Sequence, residues 1–213
     1  MIKLNALQHR ASTRIVFWPC LVDMLTSVLM IFLMVYFIQT TLGQKDLEAQ
    51  LIRQNQERFI DSFRRAFASE ISNNTVAVKQ DLNLVQITFS DRILFPPRQY
   101  ELQPAGKDAL RRCATIFSDS PQPAFKQIQV EGHTDHISFK SFVYPHDNWE
   151  LSTGRAISVV KFLVERGLRE NLLSANGYAA TRPIDPGDSE QALAHNRRIE
   201  IRVLFSVPEQ NKH

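Results

Sequence analysis

Residues 128–136 read IQVEGHTDH, a short predicted strand that ends at a glycine and continues into polar residues. On either side of it, apolar spacing predicts a helix over 103–117 and a helix over 152–165, with Gly167 as the stop of the second. Further strands are predicted over residues 76–78, 84–89, 172–177 and 198–205. Strands that alternate with helices in this order predict an α/β fold, with helices on one face of a mixed sheet.

The composition is that of a chain with a folded domain. Of 213 residues, 44% are hydrophobic and 22% are charged, which excludes wholesale disorder. A net charge of +3 is too small to indicate nucleic-acid binding by itself. Cys20 and Cys113 cannot build a disulfide framework, and Cys113 lies on a predicted core stripe. The sequence has neither a Walker phosphate loop nor a G-x-S-x-G frame, so we predict no enzyme and no cofactor.

An apolar run near the N-terminus predicts a membrane helix. Residues 19–39 read PCLVDMLTSVLMIFLMVYFIQ, with Asp23 as their one formal charge. About 21 helical residues rise roughly 31 Å, near the thickness of a bilayer's hydrocarbon core. The run is longer than the apolar core of a signal peptide, so we predict a retained transmembrane helix over 19–40. Basic residues precede it, so the positive-inside rule places the tail over 1–18 in the cytoplasm and the later residues outside.

Asp23 is the polar feature of that predicted helix. An ionisable group in lipid is costly, and it usually faces a partner or a water-filled path. One interpretation is an ion carrier, and the other is an acid near enough to the cytoplasmic face to stay hydrated. Thr26 and Ser27 could help solvate an ion or pack against another helix. Because one helix cannot enclose an ion path, an ion-carrying Asp23 implies a polytopic partner protein.

Residues 41–75 form a predicted amphipathic connector. Apolar residues recur in it three, four or seven positions apart, at Leu47, Leu51, Ile52, Phe59, Ile60, Phe63 and Phe67. Three interpretations remain open. The connector is a spacer packed on the domain that follows, a helix paired with a second copy of itself, or a helix that lies on the membrane and covers a pore.

Several motifs carry a family resemblance. They are VEGHTDH at 130–136, NWELSTGRA at 148–156, GYAATRPI at 177–184 and NRRIEI at 196–201. With the stretch over 90–110, they resemble the OmpA-like peptidoglycan-binding domain over most of residues 80–205. NWELS followed by the Arg-Ala pair resembles the MotB branch. So does a basic tail that leads to one membrane helix with an early aspartate.

The resemblance implies an architecture and a function. It implies an OmpA-like α/β sandwich over 76–207 and a short tail over 208–213. It also implies a single-pass inner-membrane stator subunit with a periplasmic C-terminal domain. Its partners would be a polytopic MotA-like or ZorA-like subunit, a second copy of the chain and peptidoglycan. The short connector favours the ZorB branch of Zorya anti-phage systems, and a flagellar stator and a passive tether remain alternatives.

A binding site is predicted around two charged residues. Ser152 is a suitable N-cap, which would put Arg155 in the first turn, where the helix dipole tolerates a cation best if an anion is bound there. Asp135 supplies the opposite charge, and the two together suit a zwitterion such as diaminopimelate. The resemblance assigns Asp135 to the amine and Arg155 to the carboxylate. Predicted neighbours are Thr134, Asn148, Leu151 and Arg198.

Two less specific interpretations accompany this site. Asp135 and Arg155 could simply pair with each other, or Asp135 could cap a turn. His133, Asp135 and His136, with His146 nearby, could also bind a metal ion. No second ligand cluster follows them, and the family that the chain resembles does not use one, so we predict no metal.

Overall fold

The computed structural model describes residues 17–119, 125–138, 140 and 145–206. The chain divides into two compact units, one ending at Leu47 and the other beginning at Glu48. The helices are α1 (Phe17–Ala66), α2 (Ala68–Ser72), α3 (Asp91–Leu94), α4 (Pro104–Asp119), α5 (Asn148–Glu165) and α6 (Glu190–Asn196). The strands are β1 (Val76–Asp81), β2 (Leu84–Ser90), β3 (Phe125–His133), β4 (Leu173–Gly177) and β5 (Arg198–Phe205). Most of the predicted tail over 1–18, and the whole tail over 208–213, lie outside the described residues.

The first unit contains the apolar part of α1. Its most apolar window has a mean hydropathy of 2.3, and the helix is long and apolar enough to cross a membrane. Apolar side chains are exposed all around it, for example Met30 and Phe37, each at 70%. A helix that is apolar on every side is stable in lipid or inside a protein rather than in water.

The second unit is built on one five-stranded sheet of order β1-β2-β5-β3-β4. Its neighbours run antiparallel except β3 and β4, which are parallel. Parallel neighbours need a crossover connection, and α5 lies in the segment that provides it. The predicted mixed α/β sheet is confirmed.

Strict alternation along the central strands builds the core. Ile199, Ile201 and Val203 of β5 are fully buried, as are Val85 and Ile87 of β2. They pack in one hydrophobic cluster with apolar residues of α4 and α5. The polar residues between them project from the opposite face of the sheet.

The last turns of α1, and Phe67 directly after them, belong to this domain. Phe59, Phe63 and Phe67 are at most 2% exposed. The Phe63 and Phe67 rings stack with centroids 4.3 Å apart, and Phe59 meets Phe205 edge to face at 5.7 Å. This part of the connector is therefore a spacer packed on its own domain. Self-pairing or pore covering through these three rings is excluded because the rings are already buried.

Glycines in β3 and β4 permit close approach of the sheet to α5. A Cβ built on Gly132 would overlap the backbone carbonyl of Ser152, so β3 and α5 touch backbone to backbone. Gly167 is the second special position, with φ +94° directly after the C-cap of α5. The predicted stop of that helix at Gly167 is confirmed.

The predicted start of α5 is wrong. The helix begins at Asn148 because the Asp147 side chain caps it and accepts a hydrogen bond from the Glu150 backbone N–H at 2.9 Å. Ser152 instead donates its hydroxyl to the Trp149 carbonyl at 3.0 Å, within the helix. Two short helices, α3 and α6, were not predicted at all.

Candidate functional site

A cleft of about 550 Å³ opens beside α3, the end of β3 and the start of α5. Five of the predicted site residues line it: Thr134, Asp135, Asn148, Leu151 and Arg155. The remaining lining comes from α3, the loop that follows it, residues 137 and 138, and Arg197. The structure thus brings most of the predicted set into one concave site.

Asp135 lies just after β3 with both carboxylate oxygens in use. Oδ2 accepts a hydrogen bond from Arg197 Nη1 at 2.6 Å, and Oδ1 accepts one from the Ile137 backbone N–H at 3.2 Å. Arg197 also donates from Nη2 to Glu190 at 2.8 Å. Burial alone would lower the pKa of Arg197, but these bonds to Asp135 and Glu190 raise it. Asp135 therefore does close a turn, and it also belongs to a network of ion pairs.

Arg155 is nearly buried, at 2% exposure, in the middle of α5. Its Nη1 pairs with Asp91 Oδ2 at 3.2 Å, and its Nε donates to the Gln99 carbonyl at 2.9 Å. The guanidinium lies over the Phe95 ring, 5.1 Å from the centroid. These contacts use Nε and Nη1, so Nη2 remains for a ligand carboxylate.

The helix-dipole argument for Arg155 is wrong. Since α5 begins at Asn148, Arg155 lies two turns inside the helix rather than in its first turn. Asp91 supplies the compensation instead. Burial lowers the pKa of Arg155 and raises that of Asp91, and in both residues the opposite charge of the partner opposes the shift.

Asp135 and Arg155 do not pair with each other. Each has a different partner, Arg197 for Asp135 and Asp91 for Arg155. The interpretation in which the two merely neutralise each other is therefore wrong. Their charges are fixed in place by partners behind them, and such an arrangement preorganises a site for a ligand with both charges.

Asp91 and Arg197 line the cleft as well, and neither was among the predicted site residues. The antiparallel pairing of β2 with β5 brings them together, because Ser90 is opposite Arg198 and the Asp91 N–H donates to the Arg197 carbonyl at 3.1 Å. Asp91 is 6% exposed, and its Oδ1 has no hydrogen-bond partner among the described residues. The NRR motif contained Arg197, but nothing in the motif separated it from Arg198.

Arg198 does not line the cleft. Its Nε donates to Glu200 Oε1 at 2.6 Å, and its Nη2 donates to the Arg182 carbonyl at 3.2 Å. Alternation explains the error, because Arg198 is the first residue of β5 and projects with Glu200 from the face opposite the core.

Polar contacts also fix the mouth of the cleft. Asn148 Nδ2 donates to the Ile137 carbonyl at 3.0 Å, and the Thr134 hydroxyl donates to the Asp135 carbonyl at 3.0 Å. Arg92, Arg98, Arg155 and Arg197 line the cleft together with the carboxylates Asp91 and Asp135. Guanidinium groups outnumber carboxylates, so the cleft favours a ligand with at least one carboxylate.

The histidines considered as metal ligands are not brought together. His136 lies 3.4 Å from Asp188, and His146 lies 2.7 Å from Glu150. Asp135 is held by Arg197. Within the described part of the chain, the group whose ligand atoms could hold a metal ion is Glu131, His133 and Glu200.

Sequence comparison relates the chain to known proteins. Residues 94–197 match the model of the OmpA family. Motility protein B of Escherichia coli K12 is 31% identical over 134 residues, which cover 62% of this chain and 42% of that protein. The YtxE protein of Bacillus subtilis is 28% identical over 167 residues, 78% of this chain and 64% of that protein. The chain thus spans between about two fifths and two thirds of the length of these relatives.

Solved structures give the same fold. A MotB-like protein from Desulfovibrio vulgaris superimposes with a TM-score of 0.66 at 23% identity, over 75% of this chain and 99% of that chain. At this identity the likeness concerns the fold alone. The cell wall anchor of the T6SS from Pseudomonas aeruginosa superimposes with a TM-score of 0.60 at 28% identity, over 67% of this chain and 96% of that chain.

Proposed function

We propose that this chain is the wall-anchored subunit of an ion-driven motor in the bacterial inner membrane, because residues 94–197 match the OmpA family and the chain is similar to motility protein B. The domain grips peptidoglycan on the periplasmic side, and the apolar part of α1 crosses the membrane once. The observation that carries the proposal is the cleft, in which Asp135 and Arg155 are each held by a partner of opposite charge.

The chemistry of the cleft suits the stem peptide of peptidoglycan. A diaminopimelate side chain ends in an ammonium and a carboxylate. Arg155 Nη2 receives the carboxylate, and the Asp135 carboxylate accepts a hydrogen bond from the ammonium. Asp91 acts as a positioning residue, because its Oδ2 orients the guanidinium that meets the ligand.

Retention on purified sacculi tests wall binding. Asp135→Asn and Arg155→Ala should each weaken retention about tenfold to a hundredfold, because a charge-assisted hydrogen bond contributes roughly 1.5–3 kcal/mol. Arg111→Ala is the matched control, since Arg111 is exposed and pairs with Asp108 outside the cleft. Circular dichroism checks the fold, because Arg155→Ala leaves the buried Asp91 with only the more distant Arg197, 4.0 Å away, among the described ion-pair partners. Wild-type retention by a folded Asp135→Asn chain would place the binding site elsewhere.

We propose Asp23 as the ion carrier, with protons as the ion. A polytopic MotA-like partner would supply the remaining walls of the path, and two copies of this chain would sit within it. Asp23→Asn keeps the shape and removes the titration. The variant should insert and assemble normally and lose all motor-dependent activity.

Thr26→Val is the control for this substitution. The Thr26 hydroxyl donates to the backbone carbonyl of Asp23 at 2.9 Å and not to its carboxylate, so its loss should leave activity intact. Membrane abundance is measured beside activity in each strain. Full activity in Asp23→Asn would favour the alternative function, a passive tether between membrane and wall.

The biological role that we propose is anti-phage defence, as in the ZorB branch, with a flagellar stator as the alternative. The short segment between the apolar run and the first strand supports it. Deletion of the gene should raise the efficiency of phage plating and leave swimming unchanged. Loss of swimming with unchanged phage resistance would assign the chain to a flagellum instead.

A further inference from the structure

A buried polar cluster lies on strands β3 and β5, outside the cleft. Glu131 and Glu200 stand directly opposite each other in the antiparallel ladder, and His133 stands opposite Arg198. Glu131 and His133 are each 2% exposed, and Glu200 is 5% exposed. Two carboxylates that face each other across a ladder repel, and burial increases the cost. A positive charge between the two carboxylates would remove this repulsion.

Two arginines pair with these two carboxylates. Arg198 Nε donates to Oε1 of Glu200 at 2.6 Å, and Arg202 Nη1 donates to Oε1 of Glu131 at 3.4 Å. Both of these arginine contacts are to Oε1 of the carboxylate. Oε2 of Glu131 faces His133 Nε2 at 3.6 Å. Arginines in this arrangement orient the carboxylates from behind, as outer-shell partners do in metal sites.

His133 is the second, independent sign of a ligand. Both of its ring nitrogens are buried, and neither has a hydrogen-bond partner among the described residues. Nε2 lies 3.6 Å from Glu131 Oε2, outside hydrogen-bond range. The ring stacks on Tyr178 with centroids 5.4 Å apart, which fixes its orientation. A buried imidazole with no partner on either nitrogen is costly, and a metal ion would satisfy Nε2.

The spacing fits an ion. One ligand atom from each of Glu131, His133 and Glu200 lies within 4.8 Å of the other two. Two ligands about 2.0–2.1 Å from a tetrahedral ion lie roughly 3.3–3.4 Å apart, close to the distance between His133 Nε2 and Glu131 Oε2. We propose that these three side chains bind a divalent transition-metal ion of the Zn²⁺ class, with water as the remaining ligand. One imidazole with two carboxylates is a donor set that suits such ions better than Mg²⁺ or Ca²⁺.

The site is independent of wall binding. None of its three ligands lines the cleft, and the ion would tie β3 to β5 on the sheet face opposite the core. Failure of the sacculus experiments would therefore leave this inference standing. The competing explanation is a protonated His133 that pairs with the glutamates and needs no metal.

The test uses the full chain in detergent, stripped with a chelator and dialysed against Zn²⁺. The wild type should retain about one tightly bound Zn²⁺ per chain, measured by mass spectrometry of the metal content. Zn²⁺ should also raise the midpoint of thermal unfolding, because an ion that binds only the folded chain stabilises it. His133→Gln and Glu200→Gln should lose both effects. His136→Gln and His195→Gln, which change exposed histidines, should keep them.

A spectroscopic measurement covers the case in which buried variants do not fold. The X-ray absorption fine structure of the Zn²⁺-loaded wild type should show one imidazole and otherwise oxygen ligands. Two or more imidazoles would assign the ion to exposed histidines and overturn the proposal. So would the absence of a tight Zn²⁺ in the wild type, or its retention by a folded His133→Gln chain.

Discussion

Two stretches, one within α1 and one that runs from the end of α1 to Phe67, carry large apolar side chains in different surroundings. From Val22 to Ile38 these side chains are exposed on all sides, whereas Phe59, Phe63 and Phe67 are at most 2% exposed. The first stretch has Asp23 as its one charged residue, and the second alternates its aromatics with charges. A nearly uninterrupted run of apolar residues therefore predicts a segment suited to lipid. Apolar residues at helical spacing, with charges between them, predict a segment that packs on protein.

Removal of a buried aromatic ring tests whether the second stretch is part of the domain core. Phe63→Ala should lower the free energy of unfolding by about 3–5 kcal/mol, because a large cavity would open beneath the sheet. Leu51→Ala is the matched control on the same helix, at 47% exposure in the wild type, and should change it by at most about 0.5 kcal/mol when the chain is measured as a monomer. Urea unfolding of the full chain in detergent, followed by circular dichroism, measures both. Equal effects would mean that the two parts of the connector are not distinct.

Crosslinking tests whether two copies of the chain contact each other and through which part of α1. Leu47 and Leu51 remain 62% and 47% exposed, so this part of the apolar stripe is free to contact a second copy. Gln50→Cys should therefore crosslink strongly and Ser62→Cys weakly, because the helix around Ser62 packs on its own domain. Cys20 must be replaced, whereas burial raises the pKa of the Cys113 thiol and keeps it unreactive.

The opposite outcome of that experiment is also informative. Strong crosslinking at Ser62 alone would show that the two copies contact each other through the domain. Crosslinking at neither position would leave pairing to the membrane helix or the partner. Crosslinking at Gln50 that appears only when the motor is idle would identify this segment as a plug.

The smallest expected effect concerns the ion pair at the end of α1. Arg112 donates to the Ala66 carbonyl at 2.6 Å, lies over the Phe67 ring and pairs with Glu70. The Arg112 guanidinium holds the pKa of Glu70 at about 2, below its ordinary 4.5. Because the folded-state pKa is the lower one, the pair stabilises the fold above pH 4.5 and loses its effect as the pH falls towards 2.

Glu70→Gln measures this contribution. Unfolding at neutral pH should become easier by less than about 1 kcal/mol, since the pair is partly exposed to water. The difference from the wild type should shrink as the pH is lowered through 4.5, and Glu57→Gln serves as an exposed control. A difference that is constant down to low pH would show that the glutamate acts through packing rather than charge.

Local pattern was sufficient for some elements and not for others. Strand β5 has the predicted bounds because RIEIRVLF alternates without interruption. Strand β3 begins three residues before the predicted start. Lys126 and Gln127 lie in its exposed part, so their polar side chains gave no apolar pattern from which to predict a strand there. The start of α5 was misplaced because Asp147 and Ser152 are both acceptable caps, and the sequence does not say which one the chain uses.

The candidate site shows the same limit. Thr134, Asp135 and Arg155 could be proposed from motifs that are local in sequence, and they do line the cleft. Asp91 and Arg197, which hold the two charges, could not be proposed in this way, because they meet only through the pairing of β2 with β5. Contacts between residues more than 60 positions apart depend on the topology of the sheet, and no single motif determines that topology.

The backbone contact at Gly132 bears on how the domain responds to force. Side chains in contact can change rotamer under tension at little cost. Two backbones in direct contact have no rotamers that could change. Asp135 follows β3 and Arg155 lies on α5, so a ligand held by both residues pulls on the strand and the helix together. We expect the Gly132 contact to make the two elements move as one stiff body, so that tension from an anchored ligand reaches the sheet without first opening the cleft.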